Sequence, residues 1–257
     1  EWGAGALFTV PLNAWYQHFN GTGDEKVRYI ATTNAPPMMR LFRDENFMFN
    51  CPTMFESRYS ADEEYFSGSG KLYNKRIWET NFIPNAPDMA LYGWKERGAG
   101  GINAMLNMGK NDMGNHISEF PVGTYKKAHR HGPGAHVIIV SGTGYSLLWP
   151  QDGGPHDRME RVNWGVGAMV VPPNDWFHQH FNTGSSAGRY LALHSPRLIN
   201  VGSEAVDPAR DQVEYPDEDP WIREKFEIEL AAHGGTMLMP DEAYTDPTFE
   251  WDYGDDD

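Results

Sequence analysis

Two glycine-framed segments that carry closely spaced histidines place the strongest constraint on how this chain of 257 residues can fold. The first segment, residues 123–136, contains His129 and His131, and the second is residues 167–182. Side chains alternate between the two faces of a β-strand, so His129 and His131 are expected to point the same way and can bind one ion. Neutral imidazole binds iron, manganese, nickel, copper and zinc. The spacing therefore predicts a single metal ion held inside a small β-barrel.

The two segments resemble the paired sequence motifs of the cupin superfamily. The first cupin motif is a glycine, five residues, His-x-His, a short gap, a glutamate and a later glycine. The second is a glycine, several residues, a proline, then a histidine and an asparagine. The matching residues here are Gly123, His129, His131 and Gly142 in the first motif and Gly167, Pro172, His178 and Asn182 in the second. Agreement in two separate blocks is specific, and it implies an all-β jelly-roll barrel.

The glutamate of the first motif is missing from its usual place. His136 follows His131 by five residues, which is one accepted spacing for that glutamate, whereas the position of the following glycine suits a shorter spacing that places Ala135 there. The resemblance thus implies a metal ion bound by His129, His131 and His178, with His136 as a candidate fourth ligand. Without a carboxylate ligand the site carries more positive charge, which favours an anionic, chelating substrate.

An internal repeat relates the start of the chain to the second motif. Residues 2–20 align without a gap on residues 164–182, with Trp-Gly and Gln-His-Phe-Asn sequences shared at a single offset. This likeness favours duplication over a chance similarity of turns. Residues 1–34 are therefore predicted to be the C-terminal half of a first cupin barrel. Because Tyr16 occupies the place of His178, this first barrel is expected to lack the metal or to bind it differently.

Lys127 is a candidate catalytic residue that could bind a substrate carboxylate. It lies two residues before His129, so strand alternation places its ammonium group in the same cavity. The alternative is that Lys127 extends to solvent at the rim of the barrel. By the same alternation, Lys126 and Arg130 are expected to point outward.

Two further histidines are candidates for catalytic roles. His180 shares a strand face with His178, but its counterpart His18 persists in the first repeat, which favours a structural role or support of the metal ligands. His194 ends the last strand of the predicted barrel and could act as an acid or base, unless it is a rim histidine without a catalytic role. Apolar walls of the cavity are expected from Trp149, Trp176 and Phe177.

These patterns divide the chain into four parts. They are the half barrel of residues 1–34, a connector of residues 35–112, a complete metal-binding barrel of residues 113–205 and a C-terminal region of residues 206–257 with a helix and an acidic tail. Strands separated by glycine-rich and proline-containing turns are predicted in the complete barrel at residues 117–120, 124–131, 136–140, 145–149, 158–162, 168–171, 177–181 and 189–194.

Short helices are predicted in the connector and in the C-terminal region. In the connector, residues 60–65 can start a short helix. In the C-terminal region, Asp219 can cap a helix whose apolar face has four-residue spacing, and Gly234 can end it. The residues of that face are Ile222, Phe226 and Leu230.

Charge and cysteine content restrict the partners and the compartment. The net charge is −15, with a sequence pI of about 5.0, which makes nucleic acids and anionic membranes improbable partners. The single cysteine, Cys51, excludes an internal disulfide framework and is compatible with a reducing cytoplasm. No apolar run approaches the length of a membrane span. A cytoplasmic protein is expected, although the first residue is Glu1, which indicates a truncated N-terminus and leaves a targeting segment open.

Among cupins, the chain is similar to two-barrel ring-cleaving dioxygenases of the gentisate and salicylate type. The likeness lies in the His-Arg-His sequence at 129–131, the missing glutamate, and the second motif at 176–182. The family implies Fe(II) bound by three histidines, with open positions for a bidentate hydroxy acid and for dioxygen. However, in gentisate dioxygenases the metal lies in the N-terminal barrel, whereas the intact motif here lies in the C-terminal one. The resemblance therefore implies carbon-carbon bond cleavage but not the substrate.

Two other functions remain open at this point. One is a redox-neutral isomerase, decarboxylase or lyase that uses Mn, Ni or Zn, with Cu also possible as the metal, because imidazole ligands alone do not select the ion. The other is a non-enzymatic two-barrel binding protein, which is less expected because the second barrel retains its ligands. A homo-oligomer is expected, and a companion fragment could complete the first barrel, because missing strands leave exposed sheet edges.

Overall fold

A computed structural model describes residues 1–73, 76–110, 113–132, 134–154, 156–196 and 208–253, and most of its β-strands lie in two sheets. The strands are β1 (Leu7–Phe8), β2 (Lys71–Tyr73), β3 (Ile77–Thr80), β4 (Phe82–Ile83), β5 (Tyr92–Gly93), β6 (Ile102–Met108), β7 (Met113–Phe120), β8 (Ala135–Ser141), β9 (Gly144–Trp149), β10 (Glu160–Trp164), β11 (Met169–Val170), β12 (Phe177–Asn182) and β13 (Gly188–Pro196). The acidic end of the tail, residues 255–257, and the end of the predicted barrel, residues 197–205, lie outside the described residues.

The helices are short and lie before and after the main strands. The α-helices are α1 (Ala35–Phe42), α2 (Glu45–Phe49), α3 (Pro208–Asp211), α4 (Pro220–Ala232) and α5 (Glu242–Thr245). Single turns of 3-10 helix occur at Glu56–Arg58, Glu63–Phe66, Ala86–Asp88, Lys95–Arg97 and Tyr215–Asp217. The mostly β content with short helices in the connector and C-terminal region confirms the predicted fold class at this level.

The larger sheet has the strand order β11-β8-β13-β7-β6-β3-β2, with β5 paired to β6, and the smaller sheet has the order β10-β9-β12. Among the described strands every pairing is antiparallel except that of β3 with β6. The strands predicted from residue 136 to residue 194 are confirmed, with ends that differ by up to two residues. The predicted connector also supplies β2, β3, β5 and β6 to the larger sheet, which the sequence did not indicate.

Residues 124–131, the edge segment, run beside β12 and contain one extra residue. Tyr125 pairs with Phe181 through the backbone, and His129 pairs with His178. Tyr125 and His129 are four residues apart in the edge segment, whereas their partners Phe181 and His178 are three residues apart in β12. A bulge of this kind shifts the alternation of side chains by one position. The edge segment is therefore irregular where the sequence predicted a continuous strand.

Buried clusters lie between the sheets and on both outer faces. Between the sheets, Phe120 of β7 packs against Trp164 of β10, with ring centroids 6.5 Å apart. Helix α4 covers the outer face of the smaller sheet, as its predicted apolar face requires: Phe226 is fully buried and the Asp219 side chain accepts a hydrogen bond from the Trp221 N–H. The outer face of the larger sheet is covered by connector residues such as Ile83.

The first 34 residues contain little regular strand structure, and their assignment as a half barrel stays a prediction. Leu7–Phe8 is the one strand described among them, and it pairs with Phe82–Ile83 of the connector. Trp15 is 83% exposed and Tyr16 is 62% exposed. Among the described residues, the sequence repeat is therefore accompanied in residues 1–34 by the single short strand Leu7–Phe8. No helix in the described part of the chain combines the length and the apolar character of a membrane span.

Candidate metal centre

His129, His131 and His178 form a compact group at the edge of the smaller sheet. One ring nitrogen from each histidine lies within 4.8 Å of the corresponding atoms of the other two. The edge segment supplies His129 and His131, and β12 supplies His178. The backbone holds the pair in register, since the His129 N–H donates to the His178 carbonyl at 3.1 Å and the reverse bond is 2.9 Å. The structure thus brings together the three predicted ligands.

Backbone carbonyls determine which ring nitrogen each histidine can offer to a metal. Nδ1 of His129 lies 3.2 Å from the Lys127 carbonyl oxygen, and Nδ1 of His178 lies 3.2 Å from the Trp176 carbonyl oxygen. A carbonyl oxygen can only accept, so Nδ1 of each ring carries the proton and Nε2 keeps its lone pair. Support of a ligand ring by a carbonyl on its other nitrogen is usual in metal sites. Both histidines are therefore oriented to bind through Nε2.

Electrostatics keep these rings neutral, as metal binding requires. Burial lowers the pKa of His129 well below its ordinary value, and the Arg97 guanidinium and the other histidines lower it further. Burial also lowers the pKa of His178, followed by the effects of His131 and His180. Because the rings stay unprotonated near neutral pH, their lone pairs are available without loss of a proton.

His136 is corrected as a candidate ligand. It lies on β8 opposite Leu193 and is exposed, whereas its neighbour Ala135 is 3% exposed and lies opposite His194. The three-histidine group accordingly leaves His136 out. The reason is strand parity, since adjacent residues of a strand face opposite sides of the sheet. Ala135, with no ligand atom, therefore occupies the inward position where cupins usually have a glutamate.

His180 is held by a hydrogen-bond network on the inner face of the smaller sheet. Its Nδ1 lies 2.7 Å from Oγ of Ser146, and that oxygen also accepts a hydrogen bond from Nε1 of Trp164 at 3.0 Å. Burial, and then the Lys126 ammonium, lowers the pKa of His180 to about 3. These contacts fit the predicted supporting role beside His178, and a catalytic role for His180 stays a prediction.

His194 lies inside the two-sheet core and not at its rim. It is 4% exposed, and its Nε2 lies 2.9 Å from Nδ1 of His116 on β7. Its ring centroid is 5.8 Å from that of His131. His194 therefore connects the three-histidine group to His116, whose place near the site no motif spacing predicts. Its role as an acid or base stays a prediction.

The two adjacent lysines are placed opposite to expectation. Lys127, predicted to face the cavity, has its Nζ 2.5 Å from a carboxylate oxygen of Glu214 and lies over the Tyr215 ring. Lys126, predicted to point outward, is 1% exposed. The extra residue in the edge segment explains the exchange, because it reverses the alternation on which the prediction rested. Arg130 lies over the Phe177 ring on the outer face, in line with its predicted outward direction, but it is 7% exposed and pairs with Asp211 at 2.9 Å.

Two of the three aromatic residues predicted to line the cavity, Trp149 and Phe177, lie elsewhere. Trp149 is 5% exposed and belongs to the cluster under α4 on the outer face of the smaller sheet, where Phe177 stacks on it with ring centroids 5.8 Å apart. Strand alternation accounts for this correction, since Phe177 and the inward-facing His178 are adjacent. Trp94, from the connector, instead lies near the interior, with its ring centroid 6.0 Å from that of His116.

No protein-family model matches the chain, and no curated protein sequence matches it. Solved structures that resemble part of it include a cupin 2 conserved barrel domain protein from Rhodopseudomonas palustris, with 18% identity over 45% of this chain and 81% of that chain and a TM-score of 0.34. The cupin domain of Cnp3 from Schizosaccharomyces pombe has 15% identity over 44% of this chain and 73% of that chain, with a TM-score of 0.35. A predicted oxalate decarboxylase from Thermotoga maritima has 18% identity over 42% and 94%, with a TM-score of 0.34. At these TM-scores the likenesses carry no information on activity.

Proposed function

We propose that this chain is a cupin-type metal-dependent dioxygenase that uses Fe(II) to cleave a carbon-carbon bond of a small, anionic, hydroxylated aromatic substrate. The observation that carries the proposal is the group of His129, His131 and His178, with Ala135 in place of a carboxylate. Three neutral protein ligands leave other positions of a six-coordinate ion open. Because these ligands are neutral, the positive charge of the ion favours binding of an anionic, chelating substrate.

The ligand atoms fit one ion after small movements. Two nitrogens bound at about 2.1 Å to the same metal lie at most about 4.2 Å apart, and the three ring nitrogens lie within 4.8 Å of one another. When bound, Fe(II) supplies a template for the substrate and a redox centre for dioxygen. Insertion of both atoms of one dioxygen molecule into the cleaved bond balances without a further reductant.

Residues around the centre would orient the ligands. The carbonyls of Lys127 and Trp176 hold the tautomers of His129 and His178. Ser146 holds His180 on the same inner face. These contacts give the centre a fixed geometry before substrate binds, which is the property that a reaction at a precise distance requires.

Metal analysis with two histidine variants tests the proposed centre. Protein loaded anaerobically with Fe(II) and freed of excess iron is expected to hold about one ion per chain, as expected for a single three-ligand site. The variant His178→Ala should lose stoichiometric iron, because two ligands remain. The matched control His136→Ala should keep it, because His136 is exposed on the other face of β8. Elemental analysis measures both, and wild-type protein without a stoichiometric transition metal would falsify the proposal.

Oxygen uptake then separates the proposed reaction from redox-neutral chemistry at the same ligands. The loaded protein is assayed with an oxygen electrode against hydroxylated aromatic acids, with Mn, Ni, Zn and Cu forms alongside. Consumption of one dioxygen per substrate by the Fe(II) form supports a dioxygenase. Substrate conversion without oxygen uptake would replace it with an isomerase, decarboxylase or lyase.

A further inference from the structure

Lys126 buries an ammonium group that has no hydrogen-bond partner among the described residues. Its side chain is 1% exposed, and Nζ is one of the buried polar atoms without such a partner. Burying an ammonium group is costly unless it is paired, so most buried polar groups in proteins have partners. An unpaired lysine inside a core therefore indicates a place for a negatively charged ligand.

The surroundings of Nζ offer room and partial support but no negative charge in contact. Nζ lies 5.6 Å from the centroid of the Trp94 ring and 5.4 Å from that of Phe120. Aromatic faces attract a cation modestly, yet they do not replace a hydrogen-bond acceptor. A Cβ atom at Gly101 would lie 2.8 Å from Nζ, so the absence of a side chain there leaves space for the ammonium group.

Lys126 shares the interior with the metal centre. Its backbone N–H donates to the His180 carbonyl at 2.9 Å, and its positive charge contributes to the lowered pKa of His180. The His180 ring centroid is in turn 5.7 Å from that of His178. Small inward side chains, Ala135 and Ser146, lie on the facing strands. Lys126 and His178 therefore lie on the same inner side of the smaller sheet, with His180 between them.

Of the charged groups near Lys126, the carboxylates already have cationic partners. Arg97 adds a second cation, since its charge lowers the pKa of both Lys126 and His129. Nearby carboxylates already pair with other cations, in the pairs Glu119–Arg189 at 2.6 Å, Glu214–Lys127 at 2.5 Å and Asp211–Arg130 at 2.9 Å. A carboxylate from outside the chain would supply the acceptor that Lys126 Nζ lacks among the described residues.

We propose that Lys126, with Arg97 nearby, binds the carboxylate of the substrate next to the three-histidine centre. This assignment rests on the proposed function and names the residue that would bind the carboxylate of that substrate. It also replaces Lys127, one of two alternatives that the sequence left open, because Lys127 is engaged with Glu214. Lys126 is thus a substrate-binding residue rather than a group that acts on the reacting bond.

Calorimetry with benzoate as the probe tests the carboxylate contact without the metal. Benzoate has a carboxylate but no hydroxyl group for chelation, so its binding to metal-free protein reports on the anion site alone. Replacing Lys126→Met should weaken benzoate binding by about 10- to 100-fold, the usual effect of losing a charge-assisted hydrogen bond. Lys126→Gln serves as a second neutral variant, and Lys225→Met, whose ammonium pairs with Glu229 on α4, is the matched control.

Nuclear magnetic resonance of protein labelled at the lysine ε-carbons gives a direct readout in the wild type. The Lys126 resonance, assigned by its loss in a variant, should shift when benzoate is added, whereas the Lys127 resonance should not. Unchanged benzoate affinity in both Lys126 variants would overturn the proposal. So would wild-type protein that binds neither benzoate nor salicylate, whether or not Fe(II) is present. Loss of benzoate binding in Lys127→Met alone would also overturn it, in favour of Lys127.

The same measurements separate this proposal from the proposed function. If the protein binds no metal but Lys126 still binds benzoate, the proposed dioxygenase function is wrong and the proposed carboxylate site at Lys126 is retained. If the protein binds iron and consumes dioxygen but benzoate and salicylate bind equally well to wild type and to the Lys126 variants, the anion site fails alone.

Discussion

At the scale of single residues, the burial of the Lys126 ammonium couples stability to pH. Burial, and then the charge of Arg97, lowers the pKa of Lys126 to about 7 from an ordinary 10.5. Between these values the unfolded chain binds more protons than the folded one, so stability rises as pH increases through this window. The full cost, reached below pH 7, is on the order of 5 kcal/mol, since the pKa is lower by about 3.5 and one pKa unit corresponds to about 1.4 kcal/mol.

Lys126→Met is therefore expected to stabilise metal-free protein at neutral pH. The variant should be more stable than the wild type at pH 7 by about 2 to 4 kcal/mol, because an apolar side chain replaces an unpaired charge. The difference should shrink towards pH 10, where the wild-type amine is neutral when folded. Urea unfolding at pH 7, 8, 9 and 10 measures this. A stability difference between variant and wild type that stays constant with pH would contradict the burial of a charged Lys126. The variant Lys225→Met controls for the loss of a lysine.

Lys126 also shows which features of the site the sequence could not predict. His129, His131 and His178 were predictable because motif spacing alone identifies them, and the structure brings them together. The orientations of Lys126 and Lys127 were not, because they depend on one extra residue in the edge segment that strand alternation does not reveal. His116 was not predicted to lie near the site either, since its proximity to His194 arises from the pairing of β7 with β13.

At the scale of elements, Glu218 joins the C-terminal helix region to the smaller sheet. It precedes α4, and its two carboxylate oxygens accept hydrogen bonds from the Tyr125 hydroxyl and the Gln179 amide, each at 2.6 Å. Burial raises the pKa of Glu218 to about 7 from 4.5, against the lowering effect of these hydrogen bonds. The folded chain binds more protons between these values, so this contribution to stability is complete below pH 4.5 and is lost as pH rises through about 7.

Glu218→Gln should remove this pH dependence while it preserves the contact. The amide oxygen can still accept from Tyr125, and a reoriented Gln179 can use its own oxygen, which lacks a hydrogen-bond partner among the described residues. We expect higher stability than wild type at pH 8, by up to about 3 kcal/mol, and little difference at pH 4.5. Thermal or urea unfolding at both pH values measures it. Glu218→Ala is the contrast and should be less stable at both, since it leaves Tyr125 and Gln179 unpaired.

The elements themselves divide into those that local sequence determines and those that it does not. Helix α4 was predictable because a capping residue, Asp219, precedes an apolar face at helical spacing. Strand β6 was not, because its mixture of buried and partly buried positions has no clear alternation, and its partners β3 and β7 define it. The repeat in residues 1–34 was real as sequence, yet strands need a neighbouring sheet, and Leu7–Phe8 alone pairs there.

At the scale of the whole molecule, the first 34 residues differ from the two-sheet core in the exposure of their large apolar side chains. Phe19 is 75% exposed, whereas Phe181, its counterpart in the repeat, is fully buried. Trp15 and Tyr29 are 83% and 61% exposed in the same region. Clustered exposed aromatic side chains of this kind are typical of surfaces that associate with another protein surface, which is why soluble monomers keep such patches small.

Self-association through this region is the expected consequence, and the mass of the protein in solution tests it. Light scattering coupled to size-exclusion chromatography should give a mass above the 29.1 kDa of one chain, increasing with concentration. Replacing Trp15→Ser and Phe19→Ser together should shift the protein towards one chain, because burial of each aromatic side chain contributes about 1.5 to 3 kcal/mol to association. Helix content and iron binding should be unchanged, since both residues lie outside the two-sheet core. Wild-type protein that remains a single chain at every concentration would show that these side chains do not drive association.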